Sequence, residues 1–591
     1  MSEHRPIDRI HMQVMWDRLL AVVEEQAQTL LRAAFSSMVR ECGDLSAGVF
    51  DLKGRMLAQA VTGTPGHVNS MAESVNHFIA AFPLESMADG DIYLTNDPWK
   101  GTGHLNDFVV TTPCFHRGRL VAIFSCTSHI IDIGGIGYGP DAKDVHAEGI
   151  YLPFVKLAER GRMNRTLLDV VRANTRQPME TEGDVYSLAA CNDIGCERLR
   201  EMLDEFGQDD VAELSDYIIE RSRAAVMAQI ATLPRGTWRS SMTVDGYDRP
   251  IELVAATTIT ADGVHVDFDG TSPAAPYGIN VPLVYTTAYT CFGVGCVVSP
   301  RVPNNAGSLA PFTVSAPAGC ILDARFPSPV ATRHVIGQLL PDVVFGGLCQ
   351  AVPERIPAEG ASLVWSVMLR GLAARRNAGD DGFTITANTN GGTGARPMKD
   401  GLSATAYPSG IRATPVEITE STAPLVYWRK ELRPDSGGAG RFRGGHGQVV
   451  EIESLDGQPF ELLAAFDRIE HPPRGRAGGA GGAAGAVGLA SGEALGGKGI
   501  QDIDGRARLR VMTPGGGGFG CPLERDPDAV LTDVLEEIVS IDAAARIYGV
   551  VITPAGEVDR PATRRRRVEL RQQGVGVAPF PGCADRIPSR S

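Results

Sequence analysis

The stretch TNDPWKGTGHLNDFVVTTPCFHRGRLVAIFSCTSHIIDIGG, from Thr95 to Gly135, sets two histidines and two aspartates at the outer ends of two β-rich runs. Phe108 to Phe115 and Leu120 to Ser125 are rich in β-branched and aromatic residues and are joined by His116-Arg117-Gly118, so they read as an antiparallel hairpin. With Phe115 facing Arg119, the residues opposite His129 fall near Leu105, within one or two positions of His104 and Asp107. Opposed Cβ atoms on neighbouring strands lie ~4.5–5.5 Å apart. The hairpin therefore gathers His104, Asp107 and His129 at one end, with Asp132 just beyond. Two neutral imidazoles and a carboxylate suit Zn²⁺, Mn²⁺ or Fe²⁺ and leave a coordination position open for water or substrate. Gly101, Gly103, Gly134 and Gly135 let the backbone approach closely. Spacing alone does not separate this metal reading from polar surface loops, because HxxD pairs are common by chance.

Other reactive residues have quieter alternatives. Glu148 is a general acid or base if it lines the pocket, and otherwise caps a loop. Asp132 is placed to orient His129 from behind. His67 precedes a helix-like segment and reads as a polar contact at its N-terminus. Cys114 and Cys126 sit on the apolar strands as core fillers. Arg433 to Gly438 and Gly515 to Gly518 resemble phosphate-cradling loops, but neither is GxxxxGK[ST]. The nearest approach, Gly492 through Gly497-Lys498, has Gly499 where a hydroxyl is required. No nucleotide or other cofactor-binding loop is expected on this chain.

The elements that must position these groups follow from periodicity. Apolar residues at Ile10, Val14, Leu19, Val22, Val23 and Leu30, after Pro6, predict a helix to about Arg40. AGVFDLKGRMLAQA reads as a hairpin, 68–82 as a helix, Asp91 to Thr95 as a strand, and Asp184 to about Leu233 as helical. After Pro234, SSMTVDGYDRPIELVAATTITADGVHVDFDGTS alternates as a β-meander. Ala477 to Gly485 is nearly all Gly and Ala, consistent with either a linker or a loop inside a lobe. The fold class is α+β, in a mixed helix/strand lobe at 1–233, a β-rich section at 234–354, a mixed Gly-rich lobe at 355–574 and a disordered tail at 575–591.

The net charge of −14 over 591 residues argues against a nucleic-acid surface, which needs clustered Lys and Arg. The short basic run Arg564 to Arg567 reads as a solvated face. The N-terminus lacks the apolar core of a secretory signal, and no apolar stretch approaches the ~20 residues that span a bilayer. Eleven cysteines without a CxxC pair fit a reducing cytoplasm.

Many segments in order resemble the hydantoinase B/oxoprolinase family: RECGDLSAGVFDLKGRMLAQA, IYLTNDPWKGTGHLNDF, SHIIDIGG, AEGIYLPFVKLAERGRMN, VPNNAGSLAPFTVSAPAG, GGTGARPMKDGL, TPVEITE, ELRPDSGGAGRFRGGHG and TPGGGGFG. The resemblance covers nearly the whole chain. It implies a metal held by residues matching His104, Asp107 and His129, with Asp44 of CGDLSAG as a further carboxylate ligand. It also implies a hetero-oligomer with a hydantoinase A-type subunit that carries ATP and Mg. That subunit would activate a cyclic amide (hydantoin, 5-oxoproline or lactam type) for opening at this chain's metal. Ketone carboxylase subunits of the acetone and acetophenone type are relatives, so carboxylation is the alternative within the family. A non-catalytic scaffold for the A-type subunit is the alternative outside it.

Overall fold

The apolar runs on either side of Arg117-Gly118 form the centre of a seven-stranded antiparallel sheet. Its strands are β1 (Leu45–Phe50), β2 (Met56–Gln59), β3 (Ile92–Thr95), β4 (Asp107–His116), β5 (Arg119–His129), β6 (Val155–Glu159) and β7 (Arg162–Met163), in the order β2-β1-β5-β4-β3-β6-β7. This is a computed structural model that describes residues 9–61, 64–371 and 382–574; the tail expected at 575–591 and Pro6 lie outside the described residues. Strands β1, β4 and β5 are buried on both faces, which is why they read as near-continuous apolar runs. Helices Arg9–Ala33 and Pro178–Glu205 pack together against this sheet, and helix Pro65–Ala81 packs on β1, β4 and β5.

Two local expectations change. The first helix stops at Ala33 instead of about Arg40, because the buried Asp184 carboxylate accepts the backbone N–H groups of Phe35 (2.7 Å) and Ser36 (3.1 Å); helical structure resumes only over Ser37–Arg40. The hairpin loop is two residues long, Arg117 and Gly118, both at positive φ (49° and 77°). A register shift between Cys114 and Phe115 adds a further offset, so Asp107, not Leu105, stands opposite His129. Cys114 and Cys126 are buried fillers, as expected.

The meander appears as β8 (Gly236–Val244), β9 (Ile251–Ile259) and β10 (Val264–Asp267), joined by β11 (Phe312–Ser315) in the order β11-β10-β9-β8. The same section also holds helices Leu283–Val298 and Leu340–Ala351, so it is less β-rich than its composition suggests. LVYTTAYTCFGVGCVV is apolar all round, and burial against Leu340–Ala351 decides its state over its β-branched propensity.

The C-terminal part of the chain carries two four-stranded sheets. One has β12 (Val364–Gly371) and β13 (Thr384–Asn390) with β16 (Phe460–Ala465) and β18 (Lys498–Ile503). The other has β14 (Leu425–Leu432), β15 (Gln448–Ser454), β17 (Ala486–Leu489) and β19 (Leu509–Met512). Between strands, the glycine-rich segments pack backbone against backbone. The amides of Gly515, Gly516, Gly517 and Gly518 donate to the carbonyls of Ala483, Gly445, Glu359 and Ala480 at 2.8–3.1 Å. Four consecutive amides thus reach three separate segments, which a strand in a sheet, with two neighbours, cannot do. Ala477 to Gly485 belongs to this bundle and is no linker. The amides of Gly515 to Gly518 are spent on carbonyls, so this loop does not cradle phosphate.

Candidate metal centre

Sheet geometry lines up the site. Asp44 immediately precedes β1, and its carbonyl accepts the N–H of His129 at 3.2 Å. His129 pairs in turn with Asp107 of β4. Opposed residues share a face, so the three side chains form a row across β1, β5 and β4. His104 enters from the loop before β4. Ligating atoms of His104, Asp107 and His129 lie within 4.8 Å of one another, and all three residues are buried. His104 Nε2 is 2.7 Å from Asp107 Oδ1, and His129 Nδ1 is 3.3 Å from the same oxygen.

The surroundings fix the protonation states. His104 Nδ1 lies 2.9 Å from the Ala331 carbonyl. A carbonyl only accepts, so Nδ1 carries the proton and Nε2 presents its lone pair to the site. Burial, reinforced by the Arg333 charge, pushes His104 down to about 3, so the ring is neutral at pH 7. Burial alone would raise the Asp107 carboxyl, but His104, His67 and Arg333 outweigh it and hold it well below the usual carboxylate range. With His104 neutral, Arg333, at 2.6 Å from Asp107 Oδ2, and His67 carry that effect. Nε2 of both His104 and His129 is buried without a hydrogen-bond partner; the 2.7 Å approach of His104 to Asp107 lacks hydrogen-bond alignment. Orphaned buried acceptors are costly. Two that converge with an ionised carboxylate fit a divalent cation.

Asp44 borders the cluster from the β1 side, and its Oδ1, like Nε2 of His104 and His129, is buried without a hydrogen-bond partner. It lies two strands from Asp107, and the His67 ring stands between the two carboxylates, 3.4 Å from Asp44 Oδ1 and 2.9 Å from Asp107 Oδ2. Asp44 thus adjoins the set of three through His67. Asp132 does not orient His129. Its carboxylate is taken by Arg176, at 2.6 Å from NH1 and through the Arg176 backbone N–H, and by Thr175 Oγ1 at 3.0 Å. The segment 174–177 crosses that end of the sheet and captures it.

Glu148 is a loop clamp. Its Oε1 accepts the N–H groups of Val330 (2.5 Å) and Ala331 (2.8 Å), steadying the carbonyl that fixes His104. Burial raises its carboxyl to about 8 against those two backbone bonds. A carboxyl raised in the folded state contributes stability that is fully present below its ordinary 4.5 and is lost as pH rises through about 8. Glu148→Gln, which keeps the acceptor and cannot ionise, should match the wild type in urea midpoint near pH 4.5 and exceed it increasingly from pH 6 to 9. A constant difference across that range would mean that Glu148 does not titrate there.

Four residues of the site escaped sequence reasoning. His67 does sit in the first turn of its helix, where Thr64 Oγ1 accepts its backbone N–H at 3.3 Å, but its ring belongs to the centre. Asp107 and Asp44 overcome burial and raise its pKa. Arg333 also donates from Nε to the Thr102 carbonyl at 3.0 Å and stacks 4.2 Å over the Tyr285 ring. Tyr138 lies 4.8 Å from the His129 ring and bonds His334 Nδ1 at 3.1 Å. Arg333 and His334 are adjacent in PVATRHVIG, the one local signal available; nothing in their spacing ties them to His104, more than two hundred residues earlier.

Comparison with known proteins agrees with this architecture. The caprolactamase subunit beta of Pseudomonas jessenii is 29% identical over 587 residues, covering 95% of this chain and 99% of that one. The crystal structure of ATP-dependent caprolactamase from that organism superposes with a TM-score of 0.86 at 27% identity, over 95% of this chain and 100% of that one. 5-Oxoprolinase 1 of Arabidopsis thaliana is 28% identical over 547 residues, 87% of this chain and 42% of that protein. The nucleotide-free structure of acetone carboxylase shares the fold, with a TM-score of 0.81 at 21% identity over 97% of this chain and 84% of that one. The family model described as hydantoinase B/oxoprolinase matches residues 8–522, and the chain belongs to that family.

Proposed function

We propose that this chain is the B-type subunit of a cytoplasmic, ATP-dependent amidohydrolase that opens a cyclic amide at a divalent ion held by His104, Asp107 and His129. The observation that carries the reading is the clustering of His104, Asp107 and His129 at buried positions, their ligating atoms within 4.8 Å of one another and Nε2 of both histidines without a hydrogen-bond partner. A divalent ion bound there supplies a Lewis acid beside the reacting carbon. The chain's own groups do the rest. Ala331 holds His104 in the tautomer that offers Nε2, and Arg333 keeps Asp107 ionised. His67, between two carboxylates, holds a proton at the cavity wall. Activation of the ring belongs to an A-type partner that carries ATP and Mg, in keeping with relatives named as subunits. No helix among the described residues is long and apolar enough to cross a membrane, and the ten described cysteines are free, which suits a reducing compartment.

The test is co-purification with the A-type partner, elemental analysis, and an assay of the ring-opened carboxylate product against ADP formation on lactams, hydantoins and 5-oxoproline. About one ion per chain and ring opening that requires ATP and both subunits are the expected results. Carboxylation of a ketone in place of ring opening, or full activity without a bound ion, would overturn the assignment.

A further inference from the structure

His334 stands beside the metal centre without belonging to the set of three. It begins the short helix His334–Gly337, directly after the Arg333 that holds Asp107, and is only 4% exposed. It lines the same cavity as His67, His129, Tyr138 and Arg333. Its Nδ1 is 3.1 Å from the Tyr138 hydroxyl, and its Nε2 is buried without a hydrogen-bond partner.

The Tyr138 contact settles which ring nitrogen carries the proton. Burial, with the neighbouring Arg333 charge, holds His334 well below its usual range, so the ring is neutral. A neutral imidazole has one donor and one acceptor. Among the described residues, His334 Nδ1 is the only partner of the Tyr138 hydroxyl. The hydroxyl therefore donates to Nδ1, and the ring proton sits on Nε2. His334 thus carries at the cavity a buried N–H with no acceptor, which is costly unless a group arrives to take it. Neighbouring donors are already committed: Arg333 to Asp107 and the Thr102 carbonyl, Ser366 to Asn388. The free space measures about 20 Å³, and a water-sized group needs about 10–15 Å³, so one oxygen atom fits and a whole ring does not.

We propose that the Nε2–H of His334 binds an oxygen on the reacting carbon and stabilises the negative charge that this oxygen bears in the tetrahedral adduct of water, with Tyr138 as the positioning residue that fixes the tautomer. The inference rests on the ring-opening reading above and adds a catalytic residue to it. The adduct forms as the oxygen of water bonds to the ring carbon and gives up a proton. It collapses as the charged oxygen's electron pair re-forms a carbonyl, the C–N bond breaks and the nitrogen takes the proton. Only the oxygen has to enter the space, while the ring stays outside it. A donor oriented before the reaction needs no reorganisation as charge develops, and a site closed to bulk water strengthens it. His129 lines the same cavity, which places this donor at the centre and not on a remote wall.

Turnover with the A-type partner and ATP, read as the ring-opened carboxylate, tests the role. His334→Ala should lower kcat by about a hundred- to a thousandfold. KM should stay within about threefold, because the donor acts on charge that the ground state lacks. Elemental analysis should find the wild-type ion content, which separates a donor from a metal ligand. His334→Gln, whose amide N–H takes the place of Nε2–H, should recover at least about tenfold of the loss. Tyr138→Phe removes one hydroxyl and frees the tautomer, so kcat should fall by at least about tenfold at unchanged KM. Near-wild-type kcat in a folded His334→Ala protein, a loss that falls on KM, or loss of the ion along with activity would each overturn the proposal. So would a His334→Gln protein no faster than His334→Ala. If His334→Ala does not fold, Tyr138→Phe decides, and wild-type kcat in that variant overturns the role. Ring opening by the wild type and His334→Ala alike sinks this role alone. No ring opening by the wild type sinks the ring-opening reading, and this role with it.

Discussion

Replacing His129 with Ala is expected to lower ATP-dependent ring opening by more than about a hundredfold, because loss of a group that merely supports a metal ligand already costs about 10–100-fold. The ion should be lost with the activity, leaving elemental analysis of His129→Ala near background. The fold should survive. His129 ends β5, its ring makes one 3.3 Å approach to Asp107, and its Nε2 has no partner whose loss would be felt. Circular dichroism and the urea midpoint check that part. Asp107→Ala would be a poorer probe, since it strands the buried Arg333 charge, and breaking a buried pair costs ~3–5 kcal/mol. Wild-type turnover and ion content in a folded His129→Ala protein would move the metal centre elsewhere.

The largest effect on stability is expected far from the chemistry, at Gly516. A Cβ there would lie 2.0 Å from the Thr393 carbonyl oxygen, and the equivalent atoms on Gly515 and Gly444 would lie 1.8 Å and 1.9 Å from backbone oxygens. Overpacking among side chains usually costs ~1–3 kcal/mol. Here the obstructing atom is hydrogen-bonded main chain that no rotamer change can move, so Gly516→Ala should exceed that range and yield little soluble protein. Gly496→Ala is the control, because its nearest neighbour would lie at 3.4 Å. Similar soluble yields and urea midpoints for the two variants would show that the bundle has slack.

Legibility in the sequence followed the range of the interactions. The hairpin could be read because apolar alternation and the Arg117-Gly118 turn are local, and His104, Asp107 and His129 came with it. The two-residue error in register came half from the loop, one residue shorter than expected, and half from the bulge between Cys114 and Phe115, which leaves no compositional trace. Arg333 could not be read, because its pairing with Asp107 spans 226 positions. Asp132 misled because nearness along β5 says nothing about which segment crosses the strand end. Helix Leu283–Val298 was illegible for another reason: a segment apolar on every side has no period to read. The bundle was visible only as composition, since three-way backbone packing needs glycine and nothing else.

The facing of Asp107 and His129 has a consequence for what evolution can delete. Side chains alternate faces along a strand, so a slip of one residue between β4 and β5 would turn one of the two away from the cavity. The register is set at the opposite end of the hairpin by Arg117 and Gly118 together with the bulge at Cys114, about ten residues of strand away, roughly 33 Å at ~3.3 Å per residue. Insertion or deletion of one codon in that surface turn would therefore disarm the site while every site residue remained intact, although surface turns are ordinarily where length varies most freely.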